Sequence, residues 1–151
     1  MVQLVLPNDA NTLGNVLGGM VLHWIDLAAA VVAHRHCRHQ CVTASIDQVS
    51  FEAPIRVGQL AVITGRMTFA GRTSMEIRVD VQSEDLKSAH RMQTSTAYLT
   101  FVAIDDRGKP IPVPPLVLET DDDRREARAA EARRAERLKK AHHPERETTR
   151  R

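Results

Sequence analysis

Residues 15–37, NVLGGMVLHWIDLAAAVVAHRHC, constrain this chain more than any other stretch. Gly18-Gly19 opens a run of helix-forming residues that is apolar on nearly every face, interrupted only by His23 and Asp26. Arg35, His36 and Arg38 supply the cations that a helix C-terminus favours. The pattern predicts a helix from Gly18 to about Cys37. Such a helix cannot lie on a sheet with its back in water. Either a sheet wraps it or a second subunit covers the remainder, and both are expected here. The aspartate is the anomaly, because desolvating an ionised carboxylate is costly unless it finds a partner. His23, one turn back, is the structural candidate for that partner.

The rest of the chain supplies the wrapping. Residues 2–6 (VQLVL) form a short strand ended by Pro7, and PNDANTLGN is a loop. From Cys41 the runs CVTASIDQVSFEA, QLAVITGRMTFA, RTSMEIRVDVQSE and RMQTSTAYLTFVAID are rich in Val, Ile and Thr, as strands are. Pro54 with Gly58 separates the first two, and Ala70-Gly71 makes a hairpin turn. The order is β-α-β-β-β-β, an α+β fold with one central helix and an antiparallel sheet. Beyond the Pro-rich DRGKPIPVPPL, residues 119–151 form a charged tail distinct from a domain over 1–118. Thr120 caps a helix there, with Asp121–Arg125 and Glu136–Lys140 pairing at i,i+4. Leu138 is its only large apolar residue, so a solvated helix is expected, with residues 142–151 disordered.

Charge and composition exclude several classes. Residues 1–120 carry a net charge of −1 and residues 121–151 a net +3, which leaves no dedicated nucleic-acid surface on the domain. The run after Gly19 is too short and too interrupted to span a membrane, and MVQLVLPND is no signal peptide. Two cysteines, Cys37 and Cys41, provide no disulfide framework, and a reducing cytoplasm fits them best. HRHCRHQC (residues 34–41) holds zinc-ligand residue types at a spacing that matches no familiar site.

Glycines at a helix start leave backbone N–H groups aimed outward, with the helix dipole favouring negative charge. Donors for an oxyanion, a carboxylate to activate water and an apolar helix are the parts of an acyl-transfer site. Gly18 and Asp26 lie eight residues apart, or about 12 Å along one helix, too far to act on one carbonyl group. Two antiparallel helices from paired subunits remove the difficulty.

PNDANTLGNVLGGMVLHWID, TASIDQVSFEAPIRVGQL, GRMTFAGRTSMEI and TFVAIDDRGKPIPVPPL together resemble the hotdog-fold cytosolic acyl-CoA thioester hydrolases over roughly residues 5–120. The resemblance implies a central helix wrapped by a curled sheet, and pairing of two copies into one continuous sheet. A hexamer, as a trimer of dimers, follows from it too. It also implies hydrolysis of acyl-CoA with neither metal nor organic cofactor. The family's catalytic aspartate falls on Asp26 and its asparagine is carried onto Asn15, with Gly18 and Gly19 as oxyanion donors. Asp26 either activates water or attacks directly to give an anhydride. Arg72, Thr73 and Ser74 in the hairpin are candidates for the phosphates of coenzyme A, an exposed turn being the plain alternative. Asp47 and Glu76 are read as structural acids, Glu76 facing out and solvated. Two other classes compete: an enoyl-thioester hydratase or dehydratase using His23–Asp26, and a non-catalytic acyl-CoA sensor.

Overall fold

In the computed structural model, residues 1–142 are described. Two compact units divide the chain, Met1–Leu116 and a second beginning at Val117, against the expected division after residue 118. In the first unit β1 (Val2–Leu4) is followed by α1 (Gly18–Cys37) and four long strands. These are β2 (Gln40–Phe51), β3 (Leu60–Ala70), β4 (Ser74–Glu84) and β5 (Arg91–Ile104). All pair antiparallel in one sheet of order β1-β3-β4-β5-β2. This is the expected α+β architecture, a helix held by a curled sheet.

Alternation along the strands builds the core. On β4, Met75, Ile77, Val79 and Val81 face inward and are fully buried, and Leu99, Phe101 and Ala103 of β5 join them. Val21, Trp24, Ile25, Ala29, Ala33 and Cys37 of α1 pack against this layer. Glu76 corrects an expectation. It alternates outward, yet it is only 2% exposed, and the Thr68 hydroxyl donates to its Oε1 at 2.7 Å. A buried acid with a hydroxyl donor is the form in which such a group is tolerated.

The sheet does not cover the helix completely. Leu27 and Val31 remain 44% and 50% exposed. β2 is a free sheet edge whose Val42, Ile46 and Phe51 are also exposed. Two register shifts, between Thr43 and Ser45 and between Ile46 and Gln48, bend this edge strand. α1 ends at Arg38 in the left-handed region (φ 59°), whose N–H bonds to His34 O.

In the second unit α2 spans Asp121–His142. Thr120 and Asp123 cap it reciprocally: the Asp123 N–H donates to Thr120 Oγ1 (3.1 Å) and the Thr120 N–H to Asp123 Oδ2 (2.9 Å). Asp121 pairs with Arg124 at i+3, not with Arg125, which takes Asp122. Lys140 pairs with Glu136 as expected. No helix among the described residues is long and apolar enough to cross a membrane. The disorder expected for residues 142–151 falls, from residue 143 onward, outside the described residues.

One close approach sets the helix against the sheet. A Cβ added to Gly65 on β3 would stand 3.0 Å from Val32 Cγ2 and 3.6 Å from Ala28 O. Gly65→Val is therefore expected to destabilise the fold by about 2 kcal/mol, in the usual range for overpacking. Val32→Ala in the same chain should recover part of that loss in chemical denaturation. An unchanged midpoint for Gly65→Val would show that the approach is not tight.

Candidate active site

The start of α1 is uncapped by any side chain. Its N-cap, Leu17, is extended (φ −65°, ψ 135°) with no side-chain hydrogen bond. The N–H groups of Met20 and Val21 both donate to Leu17 O, and the Leu17 N–H donates to Asp9 O. That leaves the N–H groups of Gly18 and Gly19, which form no hydrogen bond among the described residues. No side chain screens them. A Cβ on Gly19 would meet nothing within 4 Å, and one on Gly18 would meet only the tip of the Phe51 ring at 3.8 Å. Two donors at the positive end of a helix dipole thus stand open to a ligand.

Beside them lies a cleft of about 340 Å³. Gly18 forms part of its wall, with Val16, Val21, Phe51, Ile55 and Ser95. It is at the small end of the range for small-molecule sites, and mainly apolar as such sites are.

The loop before the helix is tied by an asparagine. Asn11 Oδ1 accepts the N–H groups of Leu13 (2.9 Å) and Asn15 (3.2 Å), while the Asn11 N–H donates to Asn15 O. Gly14, at φ 77°, closes this turn with its N–H on Asn11 O. The Asn11 oxygen is thereby occupied and its NH₂ group left to donate elsewhere. The Asn15 carboxamide makes no hydrogen bond among the described residues, and its backbone bridges to Arg56.

Asp26 is half-buried, and its partner is not His23. Thr43 at the start of β2 donates its hydroxyl to Asp26 Oδ1 at 2.8 Å. His23 is exposed and forms no hydrogen bond among the described residues. Within one chain the two sets of groups therefore sit at opposite ends of β2. Gly18 lies under Phe51 at its end, and Asp26 holds Thr43 near its beginning. Arg72, Thr73 and Ser74 belong to the second end. Ser74 pairs with Val102 on β5, and Val102 pairs with Val42, next to Thr43. Arg72 O and Thr73 O accept the Val113 and Ala103 N–H groups, which fixes the hairpin while the Arg72 side chain stays exposed.

Two side chains of HRHCRHQC have protein partners. The Cys37 thiol donates to His39 O, and His36 Nε2 lies 2.8 Å from Pro114 O. Burial and the neighbouring Cys37 push the Cys41 thiol up to about 11, which leaves it protonated and unreactive at neutral pH.

Comparison with known proteins places these features. Residues 13–90 match the model of the thioesterase superfamily. The rat cytosolic acyl coenzyme A thioester hydrolase is 41% identical over 83% of this chain, which spans only about a third (33%) of that protein's length. A crystal structure of an apo-hexameric acyl-CoA thioesterase superposes with a TM-score of 0.89 at 43% identity, covering 93% of this chain and 90% of that one. An acyl-CoA hydrolase from Staphylococcus aureus, solved with butyryl-CoA, CoA and CoA disulfide, follows at a TM-score of 0.87 and 34% identity. It covers 93% of this chain and 86% of its own. That hydrolase has also been solved with single alanine replacements of an asparagine, an aspartate and a threonine. Along its chain those three positions are separated by 15 and then 17 residues. Asn11, Asp26 and Thr43 have those same separations here, and Asn15 does not.

Sequence reasoning passed over Asn11 and Thr43. Asn11 stands four residues from Asn15 in the same loop, and only the turn geometry distinguishes them. Thr43 meets Asp26 where β2 packs against α1, a contact 17 residues apart that no local pattern encodes. Because Asn11 Oδ1 ties two backbone donors, Asn11→Ala is expected to lower stability by about 1 kcal/mol, the usual net worth of such a bond. Asn11→Asp keeps the acceptor and should keep the stability. Equal thermal midpoints for Asn11→Ala and the parent chain would remove the turn from the site's architecture.

Proposed function

Because this chain belongs to the thioesterase superfamily, we propose that it hydrolyses acyl-CoA thioesters to a carboxylic acid and coenzyme A. One observation carries the reading: the start of α1 leaves two N–H groups unused, and Gly18, which carries the first of them, lies in the wall of a mainly apolar cleft. The thioester carbonyl rests on Gly18 and Gly19, which hold the charge that develops on its oxygen. The acyl chain enters the cleft, whose apolar walls suit it better than the amide-rich arm of coenzyme A.

The base comes from a second copy of the chain. Gly18 and Asp26 are about 12 Å apart along α1, while a base must reach its water within about 3 Å. Antiparallel pairing of two β2 edges about a two-fold axis near Asp47 sets the Phe51 end of one chain beside the Thr43 end of the other. Each site then combines Gly18 and Gly19 of one subunit with Asp26 and Thr43 of the partner subunit. Asp26 takes a proton from water as the oxygen adds to the carbonyl carbon. The tetrahedral intermediate collapses with cleavage of the C–S bond, and the thiolate leaves without need of a strong acid. Thr43 aims the carboxylate, and the spacing match gives the asparagine role to Asn11, whose free NH₂ orients water or carbonyl. Arg72, Thr73 and Ser74 lie at the Asp26 end, where they would meet the phosphates.

The unpaired β2 edge and the uncovered face of α1 support a homodimer. The hexameric relatives support assembly into a hexamer, which a trimer of such dimers would form, and the proposed chemistry calls for neither metal nor organic cofactor. A cytosolic location accords with the names of the relatives and with two free thiols. The hydratase reading loses its dyad, since Asp26 bonds Thr43 and not His23.

Release of free thiol from a panel of acyl-CoAs tests the proposal, and a sensor would release none. Asp26→Asn keeps the shape and removes the base, so turnover should fall about 10²–10⁴-fold with the fold intact. Thr43→Val should lower kcat about tenfold, and Thr43→Ser should restore it, as expected for loss of one hydrogen bond to a charged group. Near-normal turnover by Asp26→Asn would overturn the assignment.

A further inference from the structure

The floor of the cleft holds a polar group that the proposed reaction does not use. Ser95, on β5, is 2% exposed and lines the cleft among Val21, Phe51 and Ile55. It pairs with Val81 on one side and Phe51 on the other, so it belongs to the inward row of the sheet. Its backbone oxygen accepts from Gln93 Nε2, but its hydroxyl forms no hydrogen bond among the described residues. By contrast, the buried hydroxyls of Thr68 and Thr94 both donate, to Glu76 and to Val81 O. Among the described residues the hydroxyl closed off from solvent without a partner is that of Thr100; the Ser95 hydroxyl is open to the cleft, where water is its partner until a ligand displaces it.

We infer that Ser95 is a specificity-determining residue, and that the cleft selects an acyl chain carrying a hydroxyl group. A plain hydrocarbon chain in the cleft cuts the Ser95 hydroxyl off from water and gives it nothing in return. A chain with a hydroxyl at that depth exchanges a hydrogen bond with it while its methylenes lie against Val21 and Ile55. Sites that hydrogen-bond a substrate hydroxyl discriminate against the analogue lacking it more strongly than apolar pockets discriminate by size. The inference rests on the thioesterase reading, since it assumes that the acyl group occupies the cleft beside Gly18.

The test compares hexanoyl-CoA with its 3-hydroxy and 5-hydroxy derivatives as substrates of the full-length chain. The parent chain should favour one hydroxylated thioester by about tenfold in kcat/KM, the value of one ordinary hydrogen bond. Ser95→Ala should bring that ratio to about one, and Ser95→Thr should restore the preference. A general structural role for Ser95 would instead lower all three substrates together, which overturns the inference. So does a parent chain that takes hexanoyl-CoA as readily as both derivatives. Thiol release from none of the three would overturn the hydrolase reading itself, and this inference with it.

Discussion

A twenty-residue helix with no continuous polar face cannot be left in water, and the rest of the structure follows from covering it. Five strands curl around α1, and Gly65 lets the helix approach β3 closely enough for Val32 to touch the sheet backbone. Leu27 and Val31 still protrude, as do Val42, Ile46 and Phe51 on the free edge. Covering the exposed parts of these five side chains on both copies of a dimer is worth about 10 kcal/mol at the usual value per buried aliphatic group. Association costs about 4–15 kcal/mol in lost freedom. Apolar cover is therefore of the size of that cost, and in the proposed dimer the unpaired N–H and C=O groups of the β2 edge would add to it. The edge is bent by two register shifts, which makes it a poor template for open-ended pairing and a suitable one for a closed dimer.

The same edge organises the chemistry. β2 carries the two halves of the proposed site at its two ends, Phe51 over Gly18 and Thr43 against Asp26. One chain holds both halves yet cannot bring them together, because the helix joining Gly18 to Asp26 is rigid. In the proposed dimer, self-pairing about the middle of the strand would join each half to its complement and give two equivalent sites. Asp26 thus occupies an apolar helix at a position where its cost is offset by the Thr43 hydroxyl, and in the proposed dimer its carboxylate would face the partner subunit's cleft.

Much of this was legible in the amino-acid sequence, where the physics is local. The run from Gly18 to Cys37 has the composition of a helix and the cations of a helix end, and the helix occupies those residues. The four long strands lie where β-branched residues accumulate, with limits within a few residues of those expected. What depends on register was not legible. Glu76 was expected to be solvated because it alternates outward, but its burial beside Thr68 depends on a β3–β4 pairing that includes a register shift. The partner of Asp26 was sought at His23, one turn away, and it is Thr43, 17 residues on. Asn15 and Asn11 share a loop, and that the Asn11 carboxamide closes its turn is not marked by any residue pattern.

The central claim is that each site draws on two chains, and subunit mixing tests it most directly. Gly18→Pro removes one N–H donor at a position where proline suits a helix start and where the preceding Leu17 is already extended. Asp26→Asn removes the base. Each variant alone should be nearly inactive. Unfolded and refolded together in equal amounts, they should form about half heterodimers, in which one site carries both defects and the other none. Activity should then return to about a quarter of the parent value per site, by random assortment. If mass spectrometry shows mixed dimers and the mixture stays inactive, Asp26 serves its own chain and the two-chain site is wrong.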